Sequence, residues 1–98
     1  MLLKEIIWID KFALKIQRKH HVTVVEVEES LLSRVIFRRS RRGMIDGEDV
    51  YMAYGKTLAG RYLFTVFIYK GQNMGLIILS ARDMILKERR YYNARKKS

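Results

Sequence analysis

Gly75-Leu76-Ile77-Ile78-Leu79-Ser80-Ala81-Arg82-Asp83-Met84-Ile85-Leu86-Lys87-Glu88-Arg89-Arg90-Tyr91-Tyr92 begins as an apolar run, breaks on a Ser-Ala-Arg step and continues as a basic, tyrosine-bearing helix. Leu76 to Leu79 are apolar without alternation. That suits a strand covered on both faces, and a strand so covered is expected near the centre of its sheet. Arg82 stands at its carboxyl end, where a buried strand would hold the guanidinium with little freedom. A fixed planar fork of donors suits a phosphodiester better than a mobile lysine does, and it equally suits a structural salt bridge.

Working back from this strand, Gly71 to Gly75 reads as a hairpin loop, and residues 61–70 are apolar or aromatic on both faces. This second run also belongs in the middle of the sheet. Residues 48–56 alternate, with Val50, Met52 and Tyr54 on one face and Tyr51 and Ala53 on the other. Residues 35–39 form a further strand leading into the basic loop Ser40-Arg41-Arg42-Gly43, with turn residues through Asp46-Gly47. The short links predict an antiparallel meander.

Before the meander, Phe12, Ala13 and Ile16 fall at helical spacing with Lys11, Lys15, Arg18 and Lys19 mostly opposite. This predicts a helix capped by Asp10 and running to about His20. Thr23-Val24-Val25-Glu26 fits a capping box, flanked by Val22 and Val27 at the positions of a hydrophobic staple. The second helix is expected to turn Val24, Val27 and Leu31 inward until about Ser33, with Glu26, Glu28 and Glu29 solvated on its acidic face. Residues 2–8 read as a short first strand. The expected fold is α+β: an antiparallel sheet of about four to five strands with two N-terminal helices and one C-terminal helix, in the order β-α-α-β-β-β-β-α, forming one domain over residues 1–98.

A chain of 98 residues buries only about two thirds of the surface its unfolded form exposes, which leaves no room for a second core. The hydrophobic share of 49% suffices for a packed globule. With no cysteine, disulfides and thiolate-held metal sites are excluded, and no apolar run approaches the roughly 18 residues of a membrane span. The expectation is a cytoplasmic protein with no cofactor, no metal and no membrane partner. Lys and Arg number 20 against 10 Asp and Glu, a net charge of +10 that calls for a polyanionic partner. Interleaved tyrosines favour RNA, whose unstacked bases rest on aromatic rings.

Several blocks carry a resemblance over nearly the whole chain: Lys19-His20, Val22-Thr23 with Glu26-Val27-Glu28-Glu29, Gly60-Arg61-Tyr62-Leu63, Ser80-Ala81-Arg82-Asp83-Met84 and Glu88-Arg89-Arg90-Tyr91-Tyr92. In these the chain resembles the BrnT-like toxins of type II toxin-antitoxin systems. The resemblance implies a RelE-like fold, metal-independent RNA cleavage that inhibits translation, and silencing by a DNA-binding antitoxin, with a toxin-antitoxin heterotetramer among the implied assemblies. Two positions depart from the family pattern. His21 stands where the family commonly has a helix-ending glycine, and Ile85 stands where a threonine would complete a capping box with Glu88.

Cleaving RNA without a metal needs a base for the 2′-hydroxyl proton, cations at the phosphorus and an acid for the leaving oxygen. Arg82 is the candidate phosphate clamp and His20 the candidate general acid or base, with Glu48 as an alternative base. Lys19, Arg61 and Arg89 are candidates for electrostatic support, Arg41 and Arg42 for gripping the backbone, and Tyr62 or Tyr92 for stacking a base. The same charges and tyrosines would serve a non-catalytic RNA- or ribosome-binding module, and an inactive toxin that only binds its antitoxin would keep them too. A basic toxin implies an antitoxin with an acidic covering segment.

Overall fold

The computed structural model describes residues 5–32, 34–40, 47–70 and 75–95. Its elements are β1 (Ile6–Ile7), α1 (Asp10–His20), α2 (Val24–Ser30), β2 (Ile36–Arg39), β3 (Val50–Lys56), β4 (Tyr62–Tyr69), β5 (Leu76–Asp83) and α3 (Leu86–Arg95). This is the expected α+β order of three helices and five strands. Arg41, Arg42 and most of the two loops expected around residues 40–47 and 71–75 lie outside the described residues.

The strands form one sheet in the order β1-β5-β4-β3-β2. From β2 to β5 it is an antiparallel meander. The sheet as a whole is mixed, because β1 lies parallel to β5 with Ile6 opposite Leu76 and Ile7 opposite Ile77. Only strands joined by a tight turn are forced to be antiparallel, and β1 is joined to β5 through the rest of the chain. The middle strand is β4, with β5 one place out. The continuous apolar run of β5 marks cover on both faces, which an off-centre strand also acquires once helices lie above and below it.

A bulge decides where Arg82 points. Val66 aligns with Ser80 and Phe67 with Ile78, so Leu79 is an extra residue without a partner on β4. Side chains alternate along a strand, and one added residue reverses the alternation beyond it. Leu76 and Ile78 therefore share a face with Ala81, while Arg82 turns to the opposite face.

The first face is dry and mostly aliphatic. Ile16, Val22, Val27 and Leu31 from the first two helices pack on Ala53, Leu63, Phe67, Leu76, Ile78 and Ala81. The second is aromatic and only partly covered, with Tyr54, Phe64, Met84 and Tyr92 buried and Ile36, Met52, Tyr62, Val66 and Tyr91 packed around them. At Gly55 a Cβ would collide with the Ser30 carbonyl oxygen, so glycine lets α2 approach β3.

The helix ends follow local chemistry with two corrections. The capping box of α2 is complete: the Glu26 amide donates to Thr23 Oγ1 at 3.1 Å, and the Thr23 amide donates to Glu26 Oε1 at 3.0 Å. The helix nevertheless ends at Ser30, and Val24 is 37% exposed rather than turned inward. Asp10 is the first residue of α1, not its cap; Ile9 holds that position without a side-chain hydrogen bond. His21 adopts the left-handed conformation, φ 54° and ψ 38°, with its amide donating to the Gln17 carbonyl. The expected turn geometry is kept although a side chain occupies it. At α3 the Ile85 amide donates to Glu88 Oε1 at 2.9 Å, half of a capping box made without a hydroxyl.

Candidate nucleic-acid interface

The aromatic face presents a series of cations lying on rings. The Arg82 guanidinium lies 4.4 Å from the Phe64 ring centre, and Arg89 lies 4.2 Å from that of Tyr62, which also receives Lys56 at 5.0 Å. Tyr91 is flanked by Arg95 at 3.9 Å and Arg38 at 4.9 Å. Alternation explains the convergence: Arg38, Tyr54, Lys56, Tyr62, Phe64 and Arg82 all project to the side on which α3 lies. A groove of about 310 Å³ runs beneath this helix, lined by Arg38, Tyr54, Ile85, Lys87, Glu88 and Tyr91. Ring faces attract guanidinium groups and restrict them, which leaves outward N–H donors available to phosphate oxygens.

Arg82 is an ion-paired residue. Its two terminal nitrogens donate to the two oxygens of Glu88, each at 2.8 Å, and Nη1 also donates to the Asp83 carbonyl at 3.0 Å. Burial pushes the Glu88 carboxyl up, but Arg82 and the Ile85 amide outweigh it and hold the group below its ordinary value. The fixed fork expected at the end of the strand is there, aimed at a carboxylate of the next helix.

Arg61 is engaged still more fully, at the opposite side of the sheet. Its Nε and Nη2 hold Asp83 at 2.7 and 3.1 Å, while Nη1 donates to Glu26 and to the His21 carbonyl at 2.8 Å. Nη2 also donates to the His20 carbonyl at 3.0 Å. One guanidinium thus ties together the end of α1, the start of α2 and the end of β5. Hydrogen bonding to Arg61 holds Asp83 below its ordinary carboxyl value; for Glu26 the Thr23 amide is the leading cause and Arg61 adds to it. Arg61 is a structural clamp rather than a free contact for RNA.

The remaining acidic residues of α2 are tied in as well. Trp8 Nε1 donates to Glu28 at 3.1 Å, and the Leu58 amide donates to Glu29 at 3.1 Å. Their sequence pattern resembled a solvated face because their partners lie far away in the chain. Glu48 accepts from Lys70 through both oxygens, at 2.8 and 2.9 Å.

The three candidate catalytic residues do not form one constellation. Tyr54, Phe64 and Arg82 align across the sheet, and Glu48 stands six residues before Tyr54. At roughly 3.3 Å per residue the backbone positions of Glu48 and Arg82 are about 20 Å apart. His20 ends α1 on the other side of the sheet, where it lines a cleft with Lys19, Leu79 and Ser80. Of the other candidates, Arg89 and Tyr62 belong to the aromatic face, and Tyr62 Oη also approaches Asn93 at 3.5 Å. Tyr92 is 1% exposed, packed edge-on against Tyr62, and burial pushes its hydroxyl up. It is part of the core and cannot stack a base.

Tyr91, Arg95, Lys87 and Tyr54 complete the face without having been singled out. The Tyr91-Tyr92 pair was visible in the sequence, but which tyrosine faces inward depends on how α3 is rotated. Among the described residues no three of His, Asp and Glu come together in a way that could hold a metal ion, and no helix is long and apolar enough to cross a membrane. No protein-family model matches this chain, and no curated protein matches it significantly.

Proposed function

We propose that this protein is the ribonuclease toxin of a type II toxin-antitoxin pair, and that it engages single-stranded RNA across α3 and the aromatic face of the sheet. The observation that carries RNA engagement is the set of cations stacked on Phe64, Tyr62 and Tyr91 beside an open groove. Exposed guanidinium groups meet phosphates, and the half-buried Tyr91 ring offers a surface for a base. The toxin assignment rests on the sequence blocks that resemble the BrnT-like family. An incoming phosphate would compete with Glu88 for Arg82, so the guanidinium would be released to the phosphorus only when RNA is bound. An antitoxin with an acidic segment would occupy the same cationic surface, and occlusion would be enough to silence it.

The separation of His20, Arg82 and Glu48 favours a second reading, in which the protein binds RNA or the ribosome without cleaving. Incubating purified protein with single-stranded RNA in excess chelator distinguishes the two. The toxin reading expects cleavage that the antitoxin abolishes and that Arg82→Ala loses while remaining folded. Strict dependence on added magnesium would sink the metal-free mechanism. Intact RNA bound tightly under all conditions would establish the binding module. Tyr91→Ala should weaken RNA binding by about tenfold in either case, as expected for losing one stacked base.

A further inference from the structure

On the other side of the sheet, the cleft between α1 and the β5 bulge has about 160 Å³ of space and is lined by Phe12, Lys15, Ile16, Lys19, His20, Leu79 and Ser80. Two lysines and a histidine line it, and no carboxylate does. Its floor is Ile16, which is 4% exposed. Lys15 and Lys19 lie four residues apart on α1, a spacing at which like charges repel and weaken a helix. Neither has a carboxylate partner among the described residues; the acids nearby are committed to Arg61. Leu79 and Ser80, the two residues of the bulge, line the same cleft as this pair of lysines, and strand bulges are over-represented beside working sites.

We propose that this cleft binds a phosphate monoester, the terminal phosphate of an RNA strand. The inference rests on the RNA reading above and adds a second contact point on the opposite side of the sheet. A doubly charged phosphate relieves the repulsion between Lys15 and Lys19, and a His20 N–H can donate to its oxygens. The space is smaller than the roughly 300 Å³ at which pockets begin to enclose whole organic ligands, yet ample for a tetrahedral anion. The adjoining apolar wall of Phe12 and Leu79 suits the sugar that carries the phosphate. Arg61 donates to the His20 and His21 carbonyls, which satisfies two acceptors at the negative end of α1.

The test uses the full chain and three ligands: a diribonucleotide with a 3′-phosphate, the same diribonucleotide without it, and inorganic phosphate. Binding is followed by amide chemical shifts. The phosphorylated dinucleotide should bind more tightly than the unphosphorylated one and shift Lys19, His20 and Ser80. Lys15→Ala and Lys19→Ala should each reduce that preference about fivefold, the upper range for an exposed charge pair. Alanine is the best helix former, so both variants keep α1 folded. Arg18→Ala removes the same charge one residue away from Lys19 and should leave the preference intact. Inorganic phosphate that shifts the same amides as strongly as the phosphorylated dinucleotide would keep the phosphate site and overturn the RNA end as its source. Equal affinity for the two dinucleotides with no shift from inorganic phosphate would overturn the proposal, while longer RNA still bound at α3 would leave the RNA reading standing. A preference unchanged in both lysine variants would also overturn it.

Discussion

The two arginines at the end of the β4–β5 pair, Arg61 and Arg82, are both ion-paired but do different work. Arg61 reaches three separate elements and two backbone carbonyls from beside the aliphatic face. Arg82 pairs with one carboxylate a few residues away and rests on a ring of the aromatic face. Removing Arg61 would leave the ends of α1 and α2 and a strand end without partners, whereas removing Arg82 frees one glutamate at a helix start. The contrast extends to the faces themselves: one is a closed core secured at its rim, and the other is a half-covered surface dressed with cations. A closed face is suited to stability and an open one to exchanging partners.

The largest effect expected on stability is on the closed face. Leu63 is 0% exposed there, and Leu63→Ala should lose about 2–5 kcal/mol in denaturant unfolding. Val66→Ala, a neighbour on the open face, should lose clearly less, and equal losses would break the comparison. Next comes Arg61→Met, which should lose about 1–3 kcal/mol, discounted for the partial exposure of the clamp and larger than the loss in Arg82→Met.

The clamp also makes a pH signature. Asp83 and Glu26 have carboxyl groups held below their ordinary values of 3.8 and 4.5. A carboxyl depressed by folding contributes its stability above the unfolded value and loses it as pH falls through the folded one. Thermal stability should therefore decline below about pH 4.5, and the part due to Asp83 should vanish in Arg61→Met. An unchanged acid limb in that variant would show that the clamp contributes nothing.

The smallest effect sharpens the account of the closed face. The Thr65 hydroxyl is buried there without a hydrogen-bond partner among the described residues. Thr65→Val should raise stability by about 1 kcal/mol, since an unsatisfied buried polar group is costly and valine has the same shape. A loss would mean the hydroxyl is satisfied after all.

Much of the fold was legible because local chemistry decides it. The Thr23 to Glu26 box, the alternation of residues 50–56 and the apolar run of β4 each declare an element through contacts within a few residues. Even the departure at His21 was readable, because the helix must end there whichever residue stands in the turn. The site was legible as a set of residue types, but not as an arrangement. Arg61 and Tyr92 were expected at RNA, and one is a clamp and the other core, because charge and aromaticity say nothing about which partner reaches them first.

What the sequence by itself determined about this protein is the identity and order of its helices and strands, together with its excess of positive charge. Those depend on periodicity, on caps and on composition, all of which act over one or two turns of chain. Only the tertiary structure decided that β1 joins β5 in parallel, that a single extra residue at Leu79 sends Arg82 to the opposite face from Ile78, and that Arg61 gathers the ends of three elements. Each depends on contacts between residues far apart in the chain, where strand register and the packing of helices, not local preference, select the neighbour.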